Sequence, residues 1–179
     1  MEQNKKSKIY TKQGDNKETR TVTGKVLKSD LVIFVEGAVD ELQTSIMLAR
    51  SFLKEEKYKD YLEKITRVLF TLSYSIVSEK ELIEKEDILE LEKEIDLLDS
   101  KLPPLNDFIL PGFSKAAALV HNARTTTRKT ERLVVKYALE HKVDPKILQY
   151  LNRLSDFFFV LGRYVDLGEN NGWINSCNS

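Results

Sequence analysis

Apolar residues recur every three or four positions over most of this chain, the period of a helix with one buried face. One series runs Val35, Val39, Leu42, Ile46, Ala49, Leu53, and a second Tyr58, Leu62, Ile65, Leu69, Leu72, Ile76. A third, Ile88, Leu91, Ile95, Leu98, Leu102, predicts a helix that ends at Pro103-Pro104. Proline lacks an N–H and keeps the residue before it out of helical geometry. Ser114 suits the N-cap of a fourth helix running to about His141. Asp144-Pro145 pairs a cap with proline at the first helical position, and Ile147, Leu151, Leu154, Phe158, Leu161 and Val165 form a fifth series. The expected fold is all-α: an up-and-down five-helix bundle of the four-helix-bundle, ferritin-like type. Helices of about 20–25 residues would make it roughly 30–37 Å long.

Three stretches stand apart. The first 29 residues have no amphipathic period, and Thr, Lys, Gly and Asp crowd positions 11–25. Composition alone leaves them either a polar tail or an irregular segment with a task. The last residues, 168–179, read as a C-terminal tail containing Trp173. The run SEKELIEKEDILELEKEID (78–96) is charged outside and apolar inside, so a solvated helix with i,i+4 pairs is expected there.

Composition narrows the function classes. A chain of 179 residues suits one domain with tails. Lys plus Arg (28) balances Asp plus Glu (28), which removes a whole-chain electrostatic footprint for nucleic acid. The single cysteine, Cys177, excludes disulfide scaffolds, CxxC chemistry and cysteine zinc sites. Two histidines, His121 and His141, leave little for a histidine metal cage, and no metal ligands are assigned. The polar N-terminus has no signal-peptide pattern, and no apolar run reaches membrane length. A cytoplasmic protein without membrane or nucleic-acid partners is expected.

The segment HNARTTTRKTER (121–132) carries the densest candidate chemistry. Arg124, Arg128 and Arg132 fall at i, i+4, i+8 on one helical stripe, with Lys129 beside them and Glu131 as the local counter-charge. Like charges at that spacing repel by a few tenths of a kcal/mol per pair. The stripe is either a solvated basic face or a surface for carboxylates of another helix or subunit, or for a polyphosphate. Asn152, Asp156, Phe159 and Arg163 interrupt the last helix at spacings 4, 3, 4, and Asp40-Glu41 interrupt the first. These carboxylates look buried, which suggests charge pairing between helices. His121, one turn before Arg124, reads as a satisfied core or interface histidine. PPLNDFILPGF (103–113) is apolar for a loop, so Phe108 and Ile109 either pack inward or project into a pocket that excludes water. No P-loop, GxGxxG or GxSxG motif is present.

Four blocks, in order, resemble the PduO-type corrinoid adenosyltransferases. IYTKQGD (9–15) is similar to the family's IYTxTGD, and GAVDEL (37–42) to GTVDEL. FILPG with AAALVHNARTTTRKTER (108–132) is similar to FILPGG followed by HxARTxxRRxER. YLNRLSDFFFVLGRY (150–164) is similar to YLNRLSDxLFxxAR. The matches span about positions 9–164, nearly the whole chain.

The resemblance implies an enzyme that transfers the 5′-deoxyadenosyl group of ATP to Co(I) of cobalamin or a related corrinoid and releases triphosphate, with Mg²⁺ assisting. It implies a homotrimer with sites between subunits, a reductase partner and an adenosylcobalamin-dependent acceptor. The chain divides accordingly into a nucleotide-binding segment (1–29), a helical adenosyltransferase domain (30–167) and a tail (168–179). By position, Asp40 would pair with Arg124 across the subunit boundary and Arg128 would bind the triphosphate, with Lys129, Glu131 and Arg132 around it. Phe108 would be the wedge that removes the corrinoid's lower axial ligand. Asn152 would contact the nucleotide. Thr11, Lys12, Gly14 and Asp15 would form the nucleotide loop, and Lys28 and Tyr10 also match.

Several positions depart from the family pattern. GDKGxT reads GDNKET, placing Lys17 at the second glycine. Glu36 stands for tyrosine, Val32 for arginine, Phe113 for glycine, Lys129 for the second arginine and Thr127 for cysteine. A left-handed backbone or close phosphate approach at position 17 would suit lysine poorly. These changes bear on ATP affinity and keep open an alternative: a non-catalytic member that binds ATP or adenosylcobalamin for delivery or sensing.

Overall fold

Residues 10, 12, 14–105 and 107–168 are described by a computed structural model. Five helices carry the apolar series: α1 (Leu31–Arg50), α2 (Glu56–Ser78), α3 (Lys85–Asp99), α4 (Lys115–Ala138) and α5 (Pro145–Gly168). α4 lies between α1 and α5, α2 packs on α1, and α3 packs on α5. The predicted series face inward: Leu42, Ile46, Leu62, Leu69, Leu72, Val120, Leu151, Leu154, Phe158 and Leu161 are all fully buried. Each large side chain so buried contributes about 1.5–3 kcal/mol of transfer free energy.

The predicted caps are in place. Ser114 Oγ accepts the Ala117 N–H at 3.1 Å, and Asp144 Oδ1 accepts the Lys146 N–H at 3.0 Å. Asp30 does the same for α1, accepting from Val32 N–H at 3.1 Å. α3 closes at Asp99, three residues before the end of its apolar series, because Ser100–Leu102 form tighter turns ahead of the two prolines.

Two expectations are corrected. The run 78–96 is not one helix: α2 ends at Ser78, Glu79 turns left-handed at φ 56°, and α3 starts only at Lys85. Buried Ile83 anchors the break. Its acidic residues pair with other helices instead of along their own. Lys57–Glu94 (2.8 Å) and Lys64–Glu90 (2.5 Å) tie α2 to α3, and Arg153–Glu92 (2.8 Å) ties α5 to α3. The N-terminal stretch is not wholly irregular either. β1 (Glu18–Thr21) and β2 (Gly24–Leu27) form an antiparallel hairpin with Thr21 opposite Gly24. Strands of four residues are too short to declare a period of two. Among the described residues no helix is long and apolar enough to cross a membrane.

Candidate functional site

The base of the hairpin gathers several nucleotide-loop candidates. Lys28 N–H donates to the Lys17 carbonyl at 2.8 Å. The Lys28 ammonium lies so close to Gly14 that a Cβ there would be 3.3 Å from Nζ. Lys17 itself adopts φ 64°, the left-handed conformation that favours glycine. Lys12 is left-handed too, at φ 58°, and exposed, as is Asp15. Thr11 lies outside the described residues, as do Trp173 and Cys177.

Beside this base, Thr19, Lys28, Ile33, Glu36, Gly37 and Asp40 line an open groove of about 520 Å³. Hairpin and α1 thus bring Lys28 and Asp40 to one surface. Partial burial raises the Glu36 carboxyl above its usual range. Glu36 and Lys17 form no ion pair.

A second depression, about 600 Å³, is lined by Leu105, Asp107, Phe108, Ile109, Arg124 and Phe159. Phe108 is 85% exposed there, so it projects from its loop and does not pack inward. Among the described residues Arg124 Nε is buried without a hydrogen-bond partner. Burial, and then the neighbouring Arg128 charge, lower the pKa of Arg124. From this depression the stripe continues along α4 to Arg128 and Arg132, both exposed and in no ion pair among the described residues.

The other candidates are tied to neighbours. Lys129 Nζ meets Glu41 of α1 at 2.7 Å, so it is held by a carboxylate. Asn152 Nδ2 donates to Glu131 Oε1 at 3.4 Å and its Oδ1 accepts from Arg153 at 2.9 Å. Asp40, Glu41 and Asp156 are exposed, not buried as their apolar surroundings in sequence suggested. Apolar spacing places a helix face inward, but these residues lie beside it. Asp40 makes no ion pair among the described residues, so the Asp40–Arg124 pair is absent within one chain. His121 is buried at 3% exposure, and among the described residues of one chain neither ring nitrogen has a hydrogen-bond partner, so it is not satisfied within the core.

Three departures from the family pattern are absorbed locally. Val32 is a buried core residue of α1. Thr127 is fully buried and donates its hydroxyl to the Ala123 carbonyl at 2.8 Å. Phe113 has no positive φ, whereas Gly112 has φ 93°, so the retained glycine is the one the turn requires. Asp166 and Thr19 were not singled out in the sequence. Asp166 follows Phe159 by seven residues on the same helical face, which is the signal that could have marked it.

Comparison with known proteins gives the same assignment as the motifs. The profile of the cobalamin adenosyltransferase family matches residues 9–165. The chain is 38% identical over 170 residues to the corrinoid adenosyltransferase of Bacillus subtilis, covering 89% of this chain and 86% of that protein. It is 37% identical to the corrinoid adenosyltransferase PduO of Citrobacter freundii over 88% of its length, but spans about half (50%) of that longer protein. A variant PduO-type ATP:corrinoid adenosyltransferase from Lactobacillus reuteri, solved in complex with cobalamin and ATP, superposes with TM-score 0.89 at 30% identity, covering 96% of this chain and 100% of that one. With its arginine stripe, hairpin base and projecting phenylalanine in the matched region, this chain belongs to the cobalamin adenosyltransferase family.

Proposed function

We propose that this protein transfers the 5′-deoxyadenosyl group of ATP to Co(I) of cobalamin or a related corrinoid. The Co(I) electron pair forms the Co–C5′ bond as the C5′–O bond breaks, and triphosphate leaves with that bond's electrons. No proton is moved at the reacting carbon, so no general base is needed. The enzyme's work is to align cobalt with the 5′ carbon and to stabilise the departing anion.

The observation that carries this reading is the common border of Phe108 and Arg124, from which the unpaired Arg128 and Arg132 run along one helix. Arg128 binds the triphosphate, with Arg132, Lys129 and Glu131 around it. Asn152 contacts the nucleotide. Gly14, Asp15, Lys12, Thr11 and Lys28, in the 1–29 segment, form the nucleotide loop over the bundle of 30–167. Phe108 excludes the lower axial ligand of the corrinoid, easing reduction of Co(II).

A homotrimer accounts for two otherwise idle groups. Among the described residues of one chain, Asp40 is exposed and in no ion pair, while Arg124 Nε is buried without a hydrogen-bond partner. Pairing them between adjacent subunits would neutralise both. Magnesium would ride on the triphosphate, since among the described residues no three metal-ligating side chains cluster. A one-electron reductase supplies Co(I), and an adenosylcobalamin-dependent enzyme takes the product. Cytoplasmic placement is supported by composition alone.

Replacing Phe108 with alanine tests the wedge. The rate from cob(II)alamin plus reductant should fall far more than the rate from pre-reduced cob(I)alamin. An unchanged cob(II)alamin rate removes Phe108 from that role. The left-handed Lys17 and the Glu36 carboxylate favour one second reading, a non-catalytic protein that binds ATP or adenosylcobalamin for delivery or sensing. Turnover separates the two.

A further inference from the structure

Phe159, Arg163 and Asp166 follow one another at spacings of four and three, so they share a face of α5. All three meet the connection between α3 and α4. Phe159 lines the same depression as Phe108. Arg163, only 3% exposed, donates from Nη2 to the Pro103 carbonyl at 2.7 Å and lies 3.5 Å from Asp99. Its guanidinium sits 5.9 Å from the Phe159 ring centre. Asp166, 4% exposed, accepts the Phe113 N–H at 3.0 Å and the Ser114 N–H at 2.9 Å.

Buried charges persist where they are paired or hydrogen-bonded. Here both charges address the backbone of one connection, at its two ends. Gly112 presses that connection onto α4: a Cβ there would stand 2.5 Å from Ala118 N. No side chain separates the turn from the helix. Phe108 is thus carried on backbone fixed on both sides, although its own ring is exposed.

We infer that Arg163 and Asp166 are positioning residues that aim Phe108. They tie Pro103 and the Phe113–Ser114 peptide to α5, so that Phe108 stands over the Arg124–Phe159 depression before any corrinoid arrives. A side chain that must displace an axial ligand needs a backing that does not yield, and a pre-ordered loop saves the ordering entropy on binding. The inference rests on the adenosyltransferase reading and on Phe108 as wedge.

The test uses the full chain with Asp166→Asn, Arg163→Lys and, as reference, Phe108→Ala. Asparagine keeps an acceptor oxygen, and lysine keeps the positive charge and N–H donors, so both variants are chosen to fold. Two readouts are taken: amide hydrogen exchange over 107–114, and adenosylation rates from cob(II)alamin with a reduced flavin against pre-reduced cob(I)alamin. In both anchor variants, exchange over 107–114 should accelerate at least tenfold while core amides of α1 and α2 hold. The ratio of the cob(II)alamin rate to the cob(I)alamin rate should fall at least tenfold, with the KM for ATP within twofold of the parent. Unchanged exchange overturns the anchoring. Accelerated exchange with an unchanged ratio overturns the positioning role, because the loop would then loosen without consequence for the wedge. If Phe108→Ala itself leaves the ratio intact, the wedge reading fails, while the exchange result still decides the anchoring.

Discussion

Gly162 makes room for His121: a Cβ at Gly162 would stand 2.7 Å from Nε2 and 3.0 Å from Cδ2 of that ring. α5 and α4 therefore approach with the imidazole pressed on bare backbone. Gly162→Ala should destabilise the fold by about 1–3 kcal/mol through overpacking, despite alanine's higher helix propensity. Denaturant unfolding checks this, and a gain in stability would mean that the ring moves aside freely.

His121 also predicts a pH dependence. Burial first, and then the Arg124 charge, lower its pKa from 6.5 to about 4, with Asp166 acting in the opposite direction. Between those values the unfolded chain holds the proton more tightly than the folded one. Stability is therefore lost as pH falls from about 6.5 towards 4, approaching roughly 3 kcal/mol at the lower end. His121→Leu should flatten that part of the curve. An identical slope in the variant would assign the loss to other groups.

Lys17 holds a conformation that favours glycine, at φ 64°. Lys17→Gly should relieve roughly 0.5–1 kcal/mol of backbone strain in the segment that carries Gly14 and Lys28. Denaturant unfolding should show that gain as added stability, with ATP affinity by calorimetric titration within about twofold of the parent, because the strain is present before the nucleotide binds. Weaker binding would show that the Lys17 ammonium itself contributes to holding the nucleotide.

Arg128 and Lys129 are adjacent in sequence but differently engaged. Arg128 is exposed with no ion pair among the described residues, whereas Lys129 is held by Glu41 at 2.7 Å. Arg128→Ala should lower kcat by about 10²–10³-fold without altering the unfolding midpoint, the scale of losing one transition-state charge donor. Lys129→Ala should cost much less. Equal losses would spread the triphosphate contact over both residues.

The bundle was legible because helical spacing is repeated for several turns in each of five segments, and because Ser114, Asp144 and the proline pair punctuate it. The hairpin was not, since Glu18–Thr21 and Gly24–Leu27 are shorter than any reliable period. Glu79–Glu84 was read through as helix because charged residues there suit helix and loop alike. The arginine stripe and Phe108 could be read from spacing and from an apolar loop. The exposure of Asp40, Glu41 and Asp156 could not, because it depends on which neighbouring helix covers which flank. The same limit hid Asp166, whose role comes from backbone N–H groups more than fifty residues away in sequence.

The account's central claim is tested by mixing the anaerobic protein with cob(I)alamin and Mg·ATP, following the loss of Co(I) absorbance and identifying the cobalamin formed. Adenosylcobalamin and triphosphate appearing in equal amounts, over many turnovers, are the predicted result. A folded protein that binds ATP or cobalamin under the same conditions but forms no Co–C bond would contradict it.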